Sequence, residues 1–494
     1  MKKFFRMITN KWLLKGTSTI ALVAIVIACY IGLNWGAKQL KVENLDFTTK
    51  KLYSLSDATK ERIKNLDEEV TIQLINMEDY SYSDYYGNTL VNGNYVVEYA
   101  NKYPIISKKV IVEEINNLET REDLQKEYNI TTENAIIVVK KGEDKKVITA
   151  DELYTVDYTA GEYIDKTEEA ITNAIVELTI DEKPRIYVLD GKAYTDPEQS
   201  LGIIANRLIE ESNEVELLDI ITKGSVPEDC DCLVITTLKQ DLSDLERDKI
   251  LEYINNGGKL LILSSQNTIK TETPNYNQVL AQYGISINYG IILEQDNSKT
   301  LYDTPNMIIA EASSTFMNKL DMSLKLFLAN AGKIEFAESS KLEELGVTYE
   351  TIASTSEKSF VRTDFSQSSK SRTDSDSEEG SCIVAAHVTK TISDEKSSQL
   401  IIYSNETFAS TSQLYIGYQS VYAVYMYNNE DIALNSVAHL VERDDTIVIR
   451  KTNEVQTYNV TDQEDVIIKT IIFVVPAIII VIGIGVWIYR RRKV

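Results

Sequence analysis

The stretch that decides the fold is CLVITTLKQDLSDLERDKILEYINNGGKLLIL, residues 232–263, in which two apolar runs enclose one amphipathic segment. Ser243 and Glu246 have the spacing of a capping box, which predicts that a helix begins here. The residues predicted to form its buried face are Leu245, Ile250, Leu251 and Ile254. The last run, KLLIL, is apolar almost throughout, which is typical of a parallel strand covered on both faces. The stretch therefore predicts a strand, a helix and a second, parallel strand.

Gly257 and Gly258 could either hold a phosphate or end the helix. Phosphate-binding glycines follow a strand and precede a helix, because the free N–H groups of the helix must face the anion. Here the glycines follow the helix and precede the strand, at the position where a left-handed residue ends a helix. We interpret the pair as a helix stop.

The same alternation extends on both sides and predicts an α/β domain over residues 181–450. The predicted strands are RIYVLD, EVELLDI, CIVAAHVT, SQLIIYSN and DTIVIRKT; the predicted helices are PEQSLGIIANRLIEES, with a stripe of Leu201, Ile204, Ala205, Leu208 and Ile209, and NSVAHLV. Right-handed crossovers would make the sheet open and doubly wound. Residues 353–381 are rich in Ser, Asp and Lys, which predicts a long mobile loop inside this domain.

Residues 37–180 predict a smaller, membrane-proximal α/β domain. Its predicted helices are LSDATKERIKNL, with Ser56 as N-cap, TREDLQKEY and EEAITNAIVELT, and its predicted strands are EVTIQLIN, KKVIVEEI and NAIIVVK. The tyrosine-rich YSYSDYYGN, residues 80–88, is interpreted as a surface loop, with presentation of aromatic rings to a ligand as the alternative.

Two uncharged stretches of twenty residues, 17–36 and 470–489, predict transmembrane helices. Basic tails flank them at residues 1–16 and 490–494, and the positive-inside rule places both tails in the cytoplasm. The bulk of the chain is then extracytoplasmic, with residues 451–469 as a tether to the second span, and the protein is expected in the plasma membrane. VIAC, ending at Cys29, resembles a lipoprotein cleavage box, but the apolar run continues past the cysteine; we favour an uncleaved anchor and leave lipidation of Cys29 open.

The charge of the chain argues against nucleic acid as a partner. The formal net charge is −24, and nine cations lie in the two tails, so the region between them carries about −33. Such a surface repels phosphate backbones and is interpreted as keeping the exported region soluble.

Candidate catalytic residues are few. Cys230 and Cys232 form a C-x-C pair without the second pair that zinc requires, and both open an apolar strand, where small buried side chains are expected. Cys382 and His387 lie in one strand-like run at an offset that predicts opposite faces, and His439, the other histidine of the chain, lies far away in sequence. The motifs G-x-S-x-G, G-x-x-x-x-G-K-[ST] and H-E-x-x-H do not occur. We predict no catalytic residues, no cofactor and no metal, so the protein is not expected to be an enzyme.

Several pieces, in order, resemble the GldG-like auxiliary subunits of ABC transporters, a gliding-motility-associated group. The pieces are NLDFTTKKLYSLSDATKERIKNLDEEVTIQLI (44–75), ITNAIVELT, the block at 232–263, YGISINYGIIL (283–293), TSEKSF (355–360), LNSVAHLVERDDTIVIR and the last span ending in RRRK. The resemblance implies that the second domain is similar to the flavodoxin-like, class I glutamine amidotransferase-like fold, without its catalytic cysteine and histidine. It also implies an ABC permease and a cytoplasmic ATPase as partners. Relatives carry a Gly-His-Gly-Glu-like turn where this chain has GKAYTD, residues 191–196, so a role tied to that turn is not expected here.

These observations together predict a membrane-anchored, non-catalytic extracytoplasmic component of an ABC transport system, which binds substrate or partner. The alternatives are a stand-alone ligand-binding or sensor module and, from a third class, a cell-surface hydrolase. The ligand is unknown in each case.

Overall fold

The computed structural model describes residues 54–443, apart from 79, 85, 86, 88, 158–161, 181, 318–323 and 417–418. The predicted spans 17–36 and 470–489, both basic tails, the tether and the strand DTIVIRKT lie outside the described residues. Among the helices that are described, none is both long enough and apolar enough to cross a bilayer. The division into domains at residues 37–180 and 181–450 stays a prediction, although two separate sheets lie on either side of residue 181.

The first sheet has four strands in the order β4-β1-β5-β6, of which only the β4–β1 pair is parallel. The strands of this half of the chain are β1 (Val70–Ile75), β2 (Ser81–Ser83), β3 (Thr89–Asn92), β4 (Val110–Ile115), β5 (Ile136–Lys141), β6 (Asp144–Thr149), β7 (Tyr154–Asp157) and β8 (Glu162–Asp165). The helices are α1 (Asp57–Lys64), α2 (Gly93–Ala100), α3 (Tyr103–Ile106), α4 (Glu122–Tyr128) and α5 (Thr167–Thr179).

Ser56 begins α1 as predicted, because its side chain accepts a hydrogen bond from the Thr59 N–H. Ile63 of α1 and Ile171 of α5 are fully buried in the core of this half, together with β1 and β5 residues. The interpretation of residues 80–88 as a loop is wrong in part: β2 pairs antiparallel with β3, so Ser81–Ser83 forms one arm of a hairpin.

The second sheet begins as a parallel block with the strand order β10-β9-β11-β12-β22. Its strands are β9 (Arg185–Leu189), β10 (Glu214–Leu218), β11 (Cys232–Ile235), β12 (Lys259–Leu263) and β22 (Lys396–Tyr403). All side chains of Leu260–Leu263 are buried, which confirms the prediction of a strand covered on both faces.

The sheet continues as an antiparallel block beyond β22, which pairs parallel with β12 on one side and antiparallel with β21 on the other. The further strands of this sheet are β13 (Ile285–Ile287), β15 (Thr300–Leu301), β16 (Thr304–Ala312), β17 (Leu324–Ala329), β18 (Ile334–Phe336), β19 (Val347–Ser354) and β21 (Ile383–Ser393). Two separate antiparallel pairs are formed by β14 (Ile291–Leu293) with β20 (Phe360–Arg362) and by β23 (Gln413–Ile416) with β24 (Gln419–Tyr422). The main path runs β22-β21-β19-β16-β15.

Helices cover both faces of the parallel block. They are α6 (Pro197–Ser200), α7 (Gly202–Glu210), α8 (Ile220–Lys223), α9 (Asp244–Asn255), α10 (Pro274–Ala281), α11 (Ser339–Leu345) and α12 (Asn429–Leu440). Alternate strand residues feed two separate cores: Val234 packs with residues of α7 and α12, whereas Leu233 packs with residues of α9 and α10. The chain is therefore a mixed α/β protein, as predicted.

The helix stop and the capping box are both confirmed. The Ser243 side chain accepts from the Glu246 N–H, and the Glu246 carboxylate accepts from the Ser243 N–H. Gly257 has a φ of 87°, and the N–H groups of Gly257 and Gly258 donate to the carbonyls of Ile254 and Tyr253.

Two predicted buried positions are wrong. Ile209 is 53% exposed and Leu245 is 44% exposed. The predicted helix 197–212 is broken at Leu201 into α6 and α7. Leu201, Ile204 and Leu208 are buried as predicted, and Arg207, rather than Ile209, is buried beside them.

The long loop predicted over residues 353–381 is interrupted by strands, and its mobility stays a prediction. Part of the segment is β19 and β20, and the remainder is held by the buried guanidinium of Arg362. Arg362 donates to both carboxylate oxygens of Asp376, at 2.9 and 2.6 Å, and to the carbonyls of Ser369 and Ser371. At the base of the segment, the buried Glu294 accepts from the Ser356 and Ser359 hydroxyls.

Candidate functional site

The candidate site lies where the parallel strands end. Polar residues follow β11, β12 and β22 directly, and the carboxyl edge of an open parallel sheet is where α/β proteins bind ligands. The side chains that meet there, which we call the carboxyl-edge cluster, are Ser200, Thr237, Ser265, Gln266 and Glu406, and the buried Thr236 directly precedes Thr237 at the end of β11.

Three neighbouring strand ends are tied together by a ring of hydrogen bonds around Glu406. The Thr237 N–H donates to the Glu406 carboxylate at 3.0 Å, and the Glu406 N–H donates to the Ser265 hydroxyl at 2.9 Å. The Ser265 N–H donates to the Thr237 hydroxyl at 2.8 Å, which closes the ring. Gln266 adds a fourth link, because its side-chain oxygen accepts from the Leu238 N–H at 3.1 Å.

The carboxyl group of Glu406 is nearly enclosed, with the residue 8% exposed. Burial raises the pKa of Glu406, and the nearby Thr237 and Ser200 groups offset part of that rise by stabilising the charged form. Because these partners carry no charge, the carboxyl group is held by dipoles alone.

Some buried polar atoms at this edge have no hydrogen-bond partner within the described part of the chain. They include the hydroxyl of Thr236, the side-chain nitrogen of Gln266 and the side-chain oxygen of Asn267. Buried polar atoms are nearly always satisfied, so each of these has capacity for a further donor or acceptor. The cluster can therefore accept and donate hydrogen bonds to a small polar group.

A short strap, residues 191–196, lies at the carboxyl ends of the neighbouring strands β9 and β11, where the strand order reverses. Ala193 and Leu238 form an isolated antiparallel bridge, the Tyr194 N–H donates to the Thr237 carbonyl at 2.7 Å, and the Lys239 N–H donates to the Lys192 carbonyl at 2.8 Å. The strap is the GKAYTD turn, so this turn closes the edge of the sheet with its backbone.

The two glycines of the helix stop lie at the opposite, amino-terminal end of β12 and take no part in this cluster. Cys230 and Cys232 also lie at the amino-terminal end of their strand and are buried, as predicted. Burial raises the pKa of Cys230 to about 12 and that of Cys232 well above its usual range, which leaves both thiols poor nucleophiles.

Cys382 and His387 are not engaged with each other. The Cys382 thiol donates to the Gly380 carbonyl, and the His387 Nε2 lies 3.3 Å from the Gln399 side-chain oxygen. His387 instead lies beside His439, with 5.0 Å between the ring centroids, a proximity that the sequence did not predict. No group of three or more His, Cys, Asp or Glu side chains suited to a metal ion occurs in the part of the chain that is described.

Glu406 was not predicted from the sequence as a site residue. The signal that could have found it is its position: polar residues directly after an apolar run, as in LIIYSNE, mark the carboxyl edge once the run is known to be a parallel strand. The same signal occurs in CLVITT and KLLILSSQ.

A comparison with known protein families shows which family the chain belongs to. The family ABC_transp_aux, described as an ABC-type uncharacterized transport system, matches residues 183–436, just over half of the chain. The chain belongs to this family, whose members are auxiliary components of ABC-type transport systems. No curated protein matches it.

Solved structures show only distant likeness. The N-terminal domain of mmIFT52 is 11% identical over 52% of this chain and 97% of its own, with a TM-score of 0.38. A ThuA-like protein from Bacteroides uniformis is 8% identical over 53% of this chain and 93% of its own, and one from Parabacteroides merdae is 9% identical over 55% and 94%; each has a TM-score of 0.31. At these scores the likeness carries no argument about function.

Proposed function

We propose that this protein is a membrane-anchored, extracytoplasmic subunit of an ABC transport system that binds substrate or partner and performs no chemistry itself. The observation that carries the proposal is the family match over residues 183–436. Two apolar spans with basic flanks, 17–36 and 470–489, support anchoring in the plasma membrane beside a permease, with the ATPase on the cytoplasmic side.

The proposal includes a GldG-like identity and a second domain of flavodoxin-like, amidotransferase-like type. The parallel block supports it: numbered along the chain, its strands lie in the order 2-1-3-4-5, which is the flavodoxin-like order. The ordered resemblance of sequence pieces from 44–75 to the final RRRK supports the narrower family.

A binding role suits the chemistry of the described residues better than catalysis. The thiols of Cys230 and Cys232 are buried with raised pKa values, and Cys382 and His387 are each bonded elsewhere. The carboxyl-edge cluster, in contrast, combines a buried carboxyl group with polar atoms that have spare hydrogen-bonding capacity.

The decisive test is purification of the full, affinity-tagged chain from its native membrane in a mild detergent. We expect a permease and an ATPase to copurify in fixed proportion. The control is a chain of the same exported region carried by one unrelated transmembrane anchor, which should lose the partners if the native spans pack against the permease. A solitary native chain under several mild detergents would overturn the proposal.

A stand-alone ligand-binding or sensor module is the second candidate, and the observation that favours it is the pair of unsatisfied buried atoms on Thr236 and Gln266. Thermal-shift screening of residues 38–465 against small polar solutes tests it. A solute that stabilises the native region but not a Thr236→Val variant would favour a sensor, particularly if no transporter subunit copurifies.

A further inference from the structure

The 494-residue chain has two histidines, and they lie side by side outside the carboxyl-edge cluster. His387 lies on β21 and His439 in the last turn of α12, and their rings meet edge to face at 5.0 Å. Phe316 joins them: its ring stacks on His439 at 4.5 Å and meets His387 edge-on at 5.9 Å. Both histidines are half-buried.

A carboxylate stands beside this pair. Glu350 of β19 is the cross-strand partner of His387 and stabilises its charged form. The same carboxylate accepts from the Thr315 N–H at 2.6 Å and from the Thr315 hydroxyl at 2.8 Å, so it also holds the residue before Phe316. From β22, the neutral side chain of Gln399 faces His387.

Two further charged residues lie close to His439 in sequence, just after the end of α12. Glu442 pairs with Lys259 at 2.7 Å, and Arg443 donates to the Glu211 carbonyl at 3.0 Å. Glu442 and Arg443 each have a bond of their own, and Glu350 is the carboxylate that acts on His387.

The three aromatic rings hold three segments together: the end of α12, strand β21 and the turn that follows β16. At neutral pH the His387 imidazole packs as an uncharged ring, because burial lowers its pKa. Protonating His387 would place a cation in this half-buried cluster, where the nearby Glu350 carboxylate is already bonded to Thr315.

We propose that the His387–His439–Phe316 cluster is a pH-sensitive contact that holds the carboxyl-terminal end of α12 on the sheet at neutral pH and loosens it in mild acid.

The direction in which stability changes with pH follows from the environment of His387. Burial, first, and the neighbouring His439, second, lower the pKa of His387 below its usual value of 6.5. The folded protein then binds a proton less readily than the unfolded chain. The contact contributes its full stability above about pH 6.5 and loses it as the pH falls through the lowered value.

The first experiment is NMR of the full chain in detergent with histidine labelled at Cε1, which yields two signals because the chain has two histidines. We expect the titration midpoint of His387 to move to higher pH in His439→Gln, because one cause of its depression is removed. In Glu350→Gln the midpoint should move to lower pH. A midpoint that is unchanged in both variants would overturn the proposal.

The second experiment separates a switch from a merely structural contact. Hydrogen exchange of residues 435–443 is compared at pH 7.5 and pH 5.5, corrected for the intrinsic pH dependence of exchange. The native chain should lose protection there at pH 5.5, while His387→Gln/His439→Gln, which carries no titrating ring, should show the same protection at both values. Equal loss in both proteins would overturn the proposal, and a double variant that fails to fold leaves the single-variant NMR titrations as the test.

Discussion

Replacing Arg207 by methionine tests an electrostatic link between the two halves of the chain. The guanidinium is 11% exposed and pairs with Glu169 of α5, Glu210 of α7 and Glu430 of α12. Glu169 follows the first sheet and the other partners pack on the second, so one side chain joins both. Methionine keeps the apolar stem and removes the charge.

The expected loss follows from what remains after the substitution. Removing one partner of a buried ion pair costs about 3–5 kcal/mol, because the other charge is left uncompensated. Glu169 keeps Lys166 at 2.6 Å, and Glu210 is largely exposed to water, so the loss should lie at the low end of that range. We expect about 3 kcal/mol, which corresponds to a decrease in Tm of roughly 6–12 °C on the scale of about 2–4 °C per kcal/mol for domains of about 150–250 residues.

The assay is thermal unfolding of the full chain in detergent, with Arg185→Met as the matched control. Arg185 also pairs with two acids, Glu214 and Asp229, but it is 42% exposed, so water screens its pairs and the loss should be far smaller. If Arg207→Met lowers Tm by no more than the control does, the link contributes no net stability and the reasoning fails.

The pH dependence of stability tests the same contact in a second way. Burial raises the pKa of Glu169, but the positive charges of Arg207 and Lys166 lower it by more. The pKa of Glu169 is therefore lowered to about 2. A lowered pKa means that the stability is present above the unfolded value of 4.5 and is lost as the pH falls toward 2. Arg207→Met should flatten this part of the acid-unfolding curve.

Three further substitutions test other parts of the structure. Asp376→Asn should speed tryptic cleavage within residues 363–381 several-fold, measured by mass spectrometry, because the buried guanidinium that holds this segment loses its counter-ion. Gly258→Ala should cost about 2 kcal/mol in thermal unfolding, since a Cβ there would lie 2.4 Å from the Tyr253 ring. Glu406→Gln should raise Tm more at pH 8 than at pH 5, because burial raises the pKa of this carboxyl group and its ionisation costs stability as the pH rises through the folded value.

The first two substitutions each have a control that shares their chemistry. Glu378→Gln removes an exposed partner of Arg372 and should leave cleavage of the segment unchanged. Gly202→Ala places a Cβ where nothing lies within 4 Å and should leave Tm unchanged or raise it. A Tm difference between native and Glu406→Gln proteins that shrinks with rising pH would contradict the assigned environment of the carboxyl group.

The parts of the fold that the sequence could predict are those set by local pattern. The capping box at Ser243, the stop at Gly257 and the buried parallel strand KLLIL each depend on residues that are neighbours along the chain. The parts that the sequence could not predict depend on distant partners. The composition of segment 353–381 predicts a mobile loop and gives no sign of the buried pair Arg362–Asp376 that lies within it.

The candidate site was harder to predict for the same reason. Glu406 acquires its environment from Thr237 and Ser265, which come from two other strands, so strand order had to be known before the cluster could be recognised. The approach of His387 to His439 spans 52 residues of sequence and passes through no local motif.

The position of β22 has a consequence for how the protein is made. Gln399 of β22 pairs with Lys259 of β12, and 140 residues separate the two along the chain. The apolar edge of β12 therefore stays open during synthesis until residues 396–403 have been made. An unpaired, apolar strand edge is an aggregation hazard. Newly made chains should thus need protection by a chaperone for the time that those residues take to arrive.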